Sequence, residues 1–285
     1  SENDILWSNI EVIFSNEKAP GEGEHKLFNF LRKYGDIEES YCIHGMDADL
    51  IMLSLGTHVS KFFILREEPM KSSVEFYVID IGNTRKDMCD LMRWNSQKKT
   101  FNESTAINDF IFMCFTVGND FLPHIPGLEI IEGAIDFMLD VYKNTCSEYG
   151  HLTMKTKDGF KFRRRAFSAF LGTVSQYEKG VLEEKLMHKD RFFQDIILET
   201  SSKIVDGKYE LDIEKYHTQY YIKNLPEIKN KEEFCHYYLD GMQMVLSYYL
   251  EGKTNWTWKY MYHYAPFANE IATHILSYNF KEEKQ

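Results

Sequence analysis

Between residues 11 and 145 the apolar positions switch repeatedly between a period of two and a period near 3.6. Glu11–Ser15, Tyr41–His44, Lys61–Leu65 and Val74–Asp80 are short and rich in β-branched or aromatic residues, which predicts strands. Ile10 to Phe14 has the pattern of a strand that pairs with something earlier. Glu24–Tyr34 places Leu27, Phe30 and Leu31 on one helical face, and Asp49–Leu55 opens another helix. Ile107–Val117 carries a stripe of Ile107, Phe110, Ile111, Cys114 and Phe115, with Gly118 as its C-cap. Leu128–Tyr142 repeats the period through Ile131, Ile135, Met138, Leu139 and Tyr142. Strands alternating with helices predict an α/β core with a largely parallel sheet.

From about Cys146 the pattern changes. Residues 147–230 read as a mainly helical connecting region, with Phe167–Tyr177 and Lys185–Ile197 as helices. Lys229–Glu233 predicts an exposed turn, and Phe234–Leu250 a strong aromatic helix. The following stretch, 255–271, is dense in rings. The expected division is therefore 1–146 as the α/β core, 147–230 as the connection and 231–285 as an aromatic-rich helical region.

Composition adds several constraints. Eighteen Tyr and 21 Phe imply a large core, and surfaces able to stack on flat ligands. Five cysteines without a CxxC pair argue against a structural zinc site and for reduced thiols. No apolar run approaches the ~20 residues of a membrane span. The start has no basic region of the kind that opens a signal peptide. Cytoplasmic residence is the expectation, with nuclear residence as the open alternative; the sequence shows no clear basic import cluster. The net charge of −11 argues against a general nucleic-acid binder. It does not argue against a nuclease, whose metal site concentrates carboxylates.

Three acidic groups carry the candidate chemistry. Glu22 and Glu24 are each preceded by glycine at a helix start, where carboxylates also simply favour the helix dipole. Asp47 and Asp49 follow a short strand and precede an apolar run, where one of them would suffice as a cap. Asp120, after Gly118 and Asn119, is also ordinary turn chemistry. Together the five supply hard oxygen ligands suited to Mg²⁺ or Mn²⁺. Such ions can activate water and stabilise a leaving oxygen at a phosphodiester.

Four stretches carry a resemblance. APGEGEHKLFNFLR, HGMDADLIMLSLGTHVSKFFILREE and FIFMCFTVGNDFLPHIPGLEIIEGAIDFMLDVY resemble, in order, the XRN family of 5′→3′ exoribonucleases. DGMQMVLSYYLEGKTNWTWKYMYHYAPFANEI is similar to that family's second conserved region. The resemblance covers residues 7–145 densely and 234–271 well. It implies a PIN/flap-nuclease-like core and Mg²⁺- or Mn²⁺-dependent, two-metal-ion removal of nucleotides from single-stranded RNA bearing a 5′-monophosphate. The family's metal-binding and catalytic acids carry over onto Glu22, Glu24, Asp47, Asp49 and Asp120. Stacking on RNA bases carries over onto Trp256 or Trp258, against which stands plain core packing. Lys26 and Arg66, inside the matched stretches, are the cations expected at RNA, and a surface role for Lys26 competes.

Two departures accompany the resemblance. The family brings two more metal-binding aspartates and a 5′-phosphate pocket on an amino-terminal stretch that this sequence does not show. A further segment or a separate chain is therefore an implied partner. Where the family usually has Trp after the glutamine of the aromatic helix, Met244 follows Gln243. The alternatives are a catalytically incomplete XRN-like RNA- or partner-binding module and, more weakly, a flap-endonuclease-like enzyme acting on DNA. Arg163–Arg165, with Lys155, Lys157 and Lys161, reads as a solvated charged turn or a phosphate-tracking patch. His25, His44 and His124 read as structural, because oxygen-rich sites seldom use imidazole.

Overall fold

A computed structural model describes residues 10–19, 21–67, 75–128, 134–187 and 195–281. Helix α1 (Gly23–Tyr34) leads to strand β1 (Tyr41–His44), helix α2 (Asp49–Gly56) and strand β2 (Phe62–Glu67). β1 and β2 pair in parallel, with Ile43 opposite Ile64, so α2 is the crossover of a β-α-β unit. Strand β3 (Phe76–Asp80) pairs antiparallel to β2, with Ile64 opposite Ile79. The expected α/β character is present, but the sheet is small and mixed rather than largely parallel. A parallel return needs a crossover of a dozen or more residues. β3 begins too soon after Glu67 for that and folds back beside β2.

Two expectations about the opening segment need correction. Residues 10–16 form no strand, and Ile10, Val12, Ile13 and Phe14 lie 58–84% exposed. Among the described residues no neighbouring strand offers them a ladder, and an apolar pattern alone does not make one. In α1 the buried residues are His25 and Phe28, whereas Leu27 and Phe30 are 52% and 41% exposed. Leu31 is partly buried against the core. The inward face is decided by what lies across from the helix. Phe28 stacks on Phe62 at 5.8 Å, and His25 meets rings described below.

Helix α3 (Ile81–Met92) starts at Asp80, whose carboxylate accepts from Asn83 N at 3.0 Å. Helix α4 (Glu103–Cys114) starts at Asn102, which accepts from Thr105 N at 2.9 Å, and tightens into a 3-10 turn over Phe115–Val117. Gly118 follows at φ +98°, a conformation L side chains rarely adopt. Helix α5 (Ala134–Tyr149) buries Met138, Leu139 and Tyr142 as the pattern requires, while Ile135 is exposed and Ile131 lies outside the described residues.

Two hairpins then interrupt the helices: β4 (Thr153–Thr156) with β5 (Gly159–Phe162), and β6 (Ser202–Val205) with β7 (Lys208–Leu211). The second turns on Asp206-Gly207, both at positive φ, a dipeptide that tight hairpins select. Helix α6 (Arg164–Ser175) matches the predicted 167–177. The predicted 185–197 divides between the end of α7 (Glu178–Met187) and the start of α8 (Ile196–Thr200). Helix α9 (Ile213–Asn224) precedes the long α10 (Lys231–Glu251), and α11 (Ala268–His274) follows the ring-dense stretch.

One large core joins Phe28 and Ile64 at one end to Phe112, Phe162, Phe167 and Tyr278 at the other, with α10 running through it. Tyr238, Leu239, Met242, Val245, Leu246, Tyr248 and Tyr249 of α10 are buried. A smaller cluster gathers Leu182, Leu198, Leu211, Tyr216, Tyr220, Phe234 and Phe267. Asn230 caps α10 at its start by accepting from Glu232 N at 3.0 Å, and Gly252 ends it at φ +70°. Among the described residues no helix is long and apolar enough to cross a membrane.

Candidate functional site

The five acids arrive on three short pieces of chain. Glu22 is the N-cap of α1, yet its carboxylate makes no capping bond; Glu24 sits in the first turn. Glu22 Oε2 instead accepts from the Tyr248 hydroxyl at 3.2 Å. In the loop after β1, Asp47 Oδ1 accepts from Asp49 N at 3.0 Å, a turn bond one residue before the N-cap Ala48, so neither aspartate is itself the N-cap. Asp49, the first residue of α2, is left for another use, and its Oδ2 accepts from the Tyr249 hydroxyl at 2.5 Å. After Gly118, the side chain of Asn119 accepts from Phe121 N at 2.9 Å and Leu122 N at 3.0 Å. Asn119 thus builds the turn, and Asp120 stands exposed beside it.

Electrostatics tie these pieces together. Burial raises the Glu22 carboxyl above its usual range, opposed by the Tyr248 bond and reinforced by Glu24, Asp120 and Asp49. Burial likewise raises Asp49, opposed by Tyr249 and reinforced by Asp47, Asp120 and Glu24. All five acids therefore share one neighbourhood. Among the described residues none of them is ion-paired to a lysine or arginine. His25 Nε2 lies 3.6 Å from Glu22 Oε2. That approach is not an ion pair, because burial pushes the imidazole down to about 4 and keeps it neutral.

Hard oxygen donors with uncompensated charge fit a divalent cation. Among the described residues, however, no three His, Cys, Asp or Glu side chains gather at one ion-holding point. The charge is concentrated, but the ligand set is not closed.

The residues around the acids hold their loops in place. His25 stacks on Tyr248 with ring centroids 3.6 Å apart and meets Tyr249 edge-on at 5.4 Å. Arg32 donates to the Tyr249 carbonyl at 2.6 Å and to Asn29 Oδ1 at 2.7 Å. Arg66, expected at RNA, donates to the carbonyls of Gly45 at 3.4 Å, Asp47 at 2.7 Å and Met46. Lys26, also expected at RNA, donates to the carbonyls of Asn16 at 3.3 Å and Ala19 at 3.1 Å. Arg66 thus fastens the loop that carries Asp47, and Lys26 ties α1 to the turn at Asn16–Ala19. Two of the three consecutive arginines do similar work: Arg163 donates to Thr153 O at 3.1 Å and Arg164 to Tyr278 O at 2.6 Å.

The two tryptophans separate. Trp256 is 60% exposed and lies edge-on to Tyr248, centroids 5.6 Å apart, at the margin of the acid cluster. Trp258 packs on the core beside Tyr237 and Tyr260, so close to Gly241 that a Cβ there would meet its ring at 2.6 Å. His44 faces Glu67 at 3.5 Å and Phe76, and His124 backs onto Gly118.

Pattern reading missed Tyr248, Tyr249 and Arg32 as parts of this site, while His25, read as structural, packs on the two tyrosine rings. The signal available was the Tyr-Tyr pair in the last turn of the aromatic helix. Nothing in its spacing says which residues lie across from it.

Comparison with known proteins bears on this arrangement. The family profile described as XRN 5′-3′ exonuclease N-terminus matches residues 1–68. That described as Xrn1 helical domain matches residues 100–211 and 208–284. A Caenorhabditis briggsae protein named 5′-3′ exoribonuclease 2 homolog is 33% identical over 67% of this chain and 24% of its own length. The Gallus gallus 5′-3′ exoribonuclease 2 is 29% identical over 94% of this chain and 41% of its own. The Saccharomyces cerevisiae 5′-3′ exoribonuclease 1 is 26% identical over 95% of this chain and 27% of its own. The chain thus spans between a quarter and two fifths of the length of these relatives.

Proposed function

Because the chain belongs to the XRN family of 5′→3′ exoribonucleases, we propose that it carries the acidic site of a divalent-metal-dependent nuclease that removes nucleotides from the 5′ end of single-stranded RNA. The observation that carries this reading is the mutual electrostatic influence of Glu22, Glu24, Asp47, Asp49 and Asp120. Like charges so placed repel one another unless a cation or protons balance them. These five would hold Mg²⁺ or Mn²⁺, which when bound supplies an activated water and a stabilised leaving oxygen.

The chain's own residues supply position. Arg66 fixes the Gly45–Asp47 loop, Lys26 ties α1 to the Asn16–Ala19 turn, and Asp47 accepts from the first amide of the helix on which Asp49 sits. Trp256, exposed beside the acids, is the ring on which a base would stack, a contact of about 1–3 kcal/mol. A PIN-like α/β core and a preference for a 5′-monophosphate belong to the same proposal.

A second reading is favoured by one observation, the open ligand set. In it the chain is an RNA-binding module without catalysis. The deciding experiment digests 5′-monophosphate and 5′-triphosphate RNA with the full-length protein, with and without Mg²⁺. Expected are progressive loss of the monophosphate RNA only with Mg²⁺, and its abolition by Asp47→Asn with Asp49→Asn. Full activity in that double variant overturns the metal-site assignment. No digestion by the intact protein favours the binding module.

A further inference from the structure

Two adjacent side chains of α10 each take one oxygen of a different site acid. Tyr248 donates to Glu22 Oε2 at 3.2 Å, and Tyr249 donates to Asp49 Oδ2 at 2.5 Å. Glu22 is the N-cap of α1 and Asp49 the first residue of α2, and both are half-buried. Each bond leaves the carboxylate's other oxygen clear of the tyrosine. The tyrosines themselves are clamped: His25 stacks on Tyr248, and Arg32 holds the Tyr249 carbonyl.

We infer that Tyr248 and Tyr249 are positioning residues, which set the orientation and spacing of Glu22 and Asp49 so that one oxygen of each faces a shared divalent cation. This rests on the reading of the acids as a metal site. A bond from a neutral donor to a carboxylate is directional, so a rigid pair of donors on one helical turn fixes two acids that come from separate helices. A carboxylate held in its binding rotamer loses less freedom on meeting the cation. The phenol ring alone would fill the same space, so the hydroxyl is the part that makes this assignment distinct from core packing.

The test uses Tyr248→Phe, Tyr249→Phe and the double variant in the full-length protein. Mn²⁺ binding is followed by electron paramagnetic resonance of the free ion, and turnover is measured on 5′-monophosphate RNA. Each single variant should bind Mn²⁺ about tenfold more weakly, the scale of one lost bond to a charged group. The double variant should bind more weakly still. kcat should fall while KM for RNA stays put, and excess Mn²⁺ should restore part of kcat, which loss of packing alone would not show. Circular dichroism checks the fold, and if one single variant does not fold the other reports.

Wild-type Mn²⁺ affinity in a folded Phe variant overturns the inference. The control Asp47→Asn with Asp49→Asn separates the two levels. If the control loses Mn²⁺ and the Phe variants keep it, only the tyrosine assignment falls. If the control keeps it too, the metal-site reading falls with it.

Discussion

The Arg32 guanidinium crosses from α1 to the Tyr249 carbonyl at 2.6 Å, joining residues 217 positions apart. That carbonyl belongs to the last turn of α10, where helical carbonyls lack partners within the helix. Asn29 Oδ1 orients the same guanidinium from the other side. The end of α10 is therefore bolted to the helix that begins with Glu22. Arg32→Ala should leave the carbonyl unpaired and cost about 2 kcal/mol, a fall in melting temperature of roughly 4–8 °C. Arg32→Lys should recover only part of this, because one ammonium lacks the planar fork. Thermal unfolding of the three proteins checks both.

The tryptophans should fail in different assays. Trp256→Ala should weaken binding of single-stranded RNA by about 1–3 kcal/mol with the melting temperature unchanged. Trp258→Ala should cost about 3–5 kcal/mol of stability, since its ring fills the space over Gly241. Fluorescence titration with an oligonucleotide, alongside thermal unfolding, separates them. Equal loss of RNA affinity in both would count against Trp256 as the stacking ring.

Asp109 is the buried post of the α4–β4 junction. Its carboxylate accepts from Tyr142 Oη at 2.8 Å, His151 Nδ1 at 2.7 Å, Leu152 N at 3.0 Å, Thr153 N at 2.7 Å and Thr153 Oγ1 at 2.6 Å. His151 Nε2 accepts from Asn102 N at 2.9 Å, which places the ring proton at Nδ1 facing Asp109. Asp109→Ala would strand these donors and should cost 3 kcal/mol or more, at least ~6–12 °C in melting temperature. A variant as stable as the parent would refute the network's role.

His25 should impose a pH dependence on stability. In the unfolded chain its imidazole takes a proton below about pH 6.5, whereas the folded state resists until about 4. Its contribution is thus complete above pH 6.5 and is lost as pH falls toward 4, by up to about 3 kcal/mol. Glu22 and Asp49, raised in the folded state, act in the opposite sense, so the effect is isolated by difference. Denaturant titrations of the parent and His25→Phe from pH 7 to 4 should show the parent losing ground to the variant. Parallel curves would contradict a buried neutral imidazole.

A divalent cation should stabilise the fold. With Mn²⁺ at a hundred times its dissociation constant, mass action adds about 2.7 kcal/mol. The melting temperature should rise by several degrees in the parent and much less in Asp49→Asn. Without metal, the same substitution should raise the melting temperature, because it removes a desolvated charge.

Much of the fold was legible because local pattern and tertiary context agree. The boundaries of β1 and α2, and the stop at Gly118 after the 3-10 turn that follows α4, follow from apolar runs and one glycine. Elements failed where context overrides pattern. Ile10–Phe14 reads as a strand but has no described ladder, and the apolar Leu27 and Phe30 face outward while His25 faces in. The hairpin at Asp206-Gly207 announces itself only through its turn dipeptide, which the periodicity of apolar residues does not register. At the site, the acids stand out because their types and glycine neighbours are unusual. Tyr248, Tyr249 and Arg32 do not, since a tyrosine in a core helix looks the same whether or not its hydroxyl meets an acid from 200 residues away.

The close seat of Gly241 against Leu122 and Trp258 has a consequence for how such chains can vary in length. It fixes the rotational phase of α10, and Tyr248 and Tyr249 lie two turns further along the same rod. A helix advances about 100° per residue, so one residue inserted between these points would swing both hydroxyls away from their acids. The alignments to relatives run longer than this chain, so insertions are common among them. The span from Gly241 to Gly252 should be closed to such changes, and an alanine inserted after Met244 should dephase the helix more damagingly than one placed in the loop before Asn230.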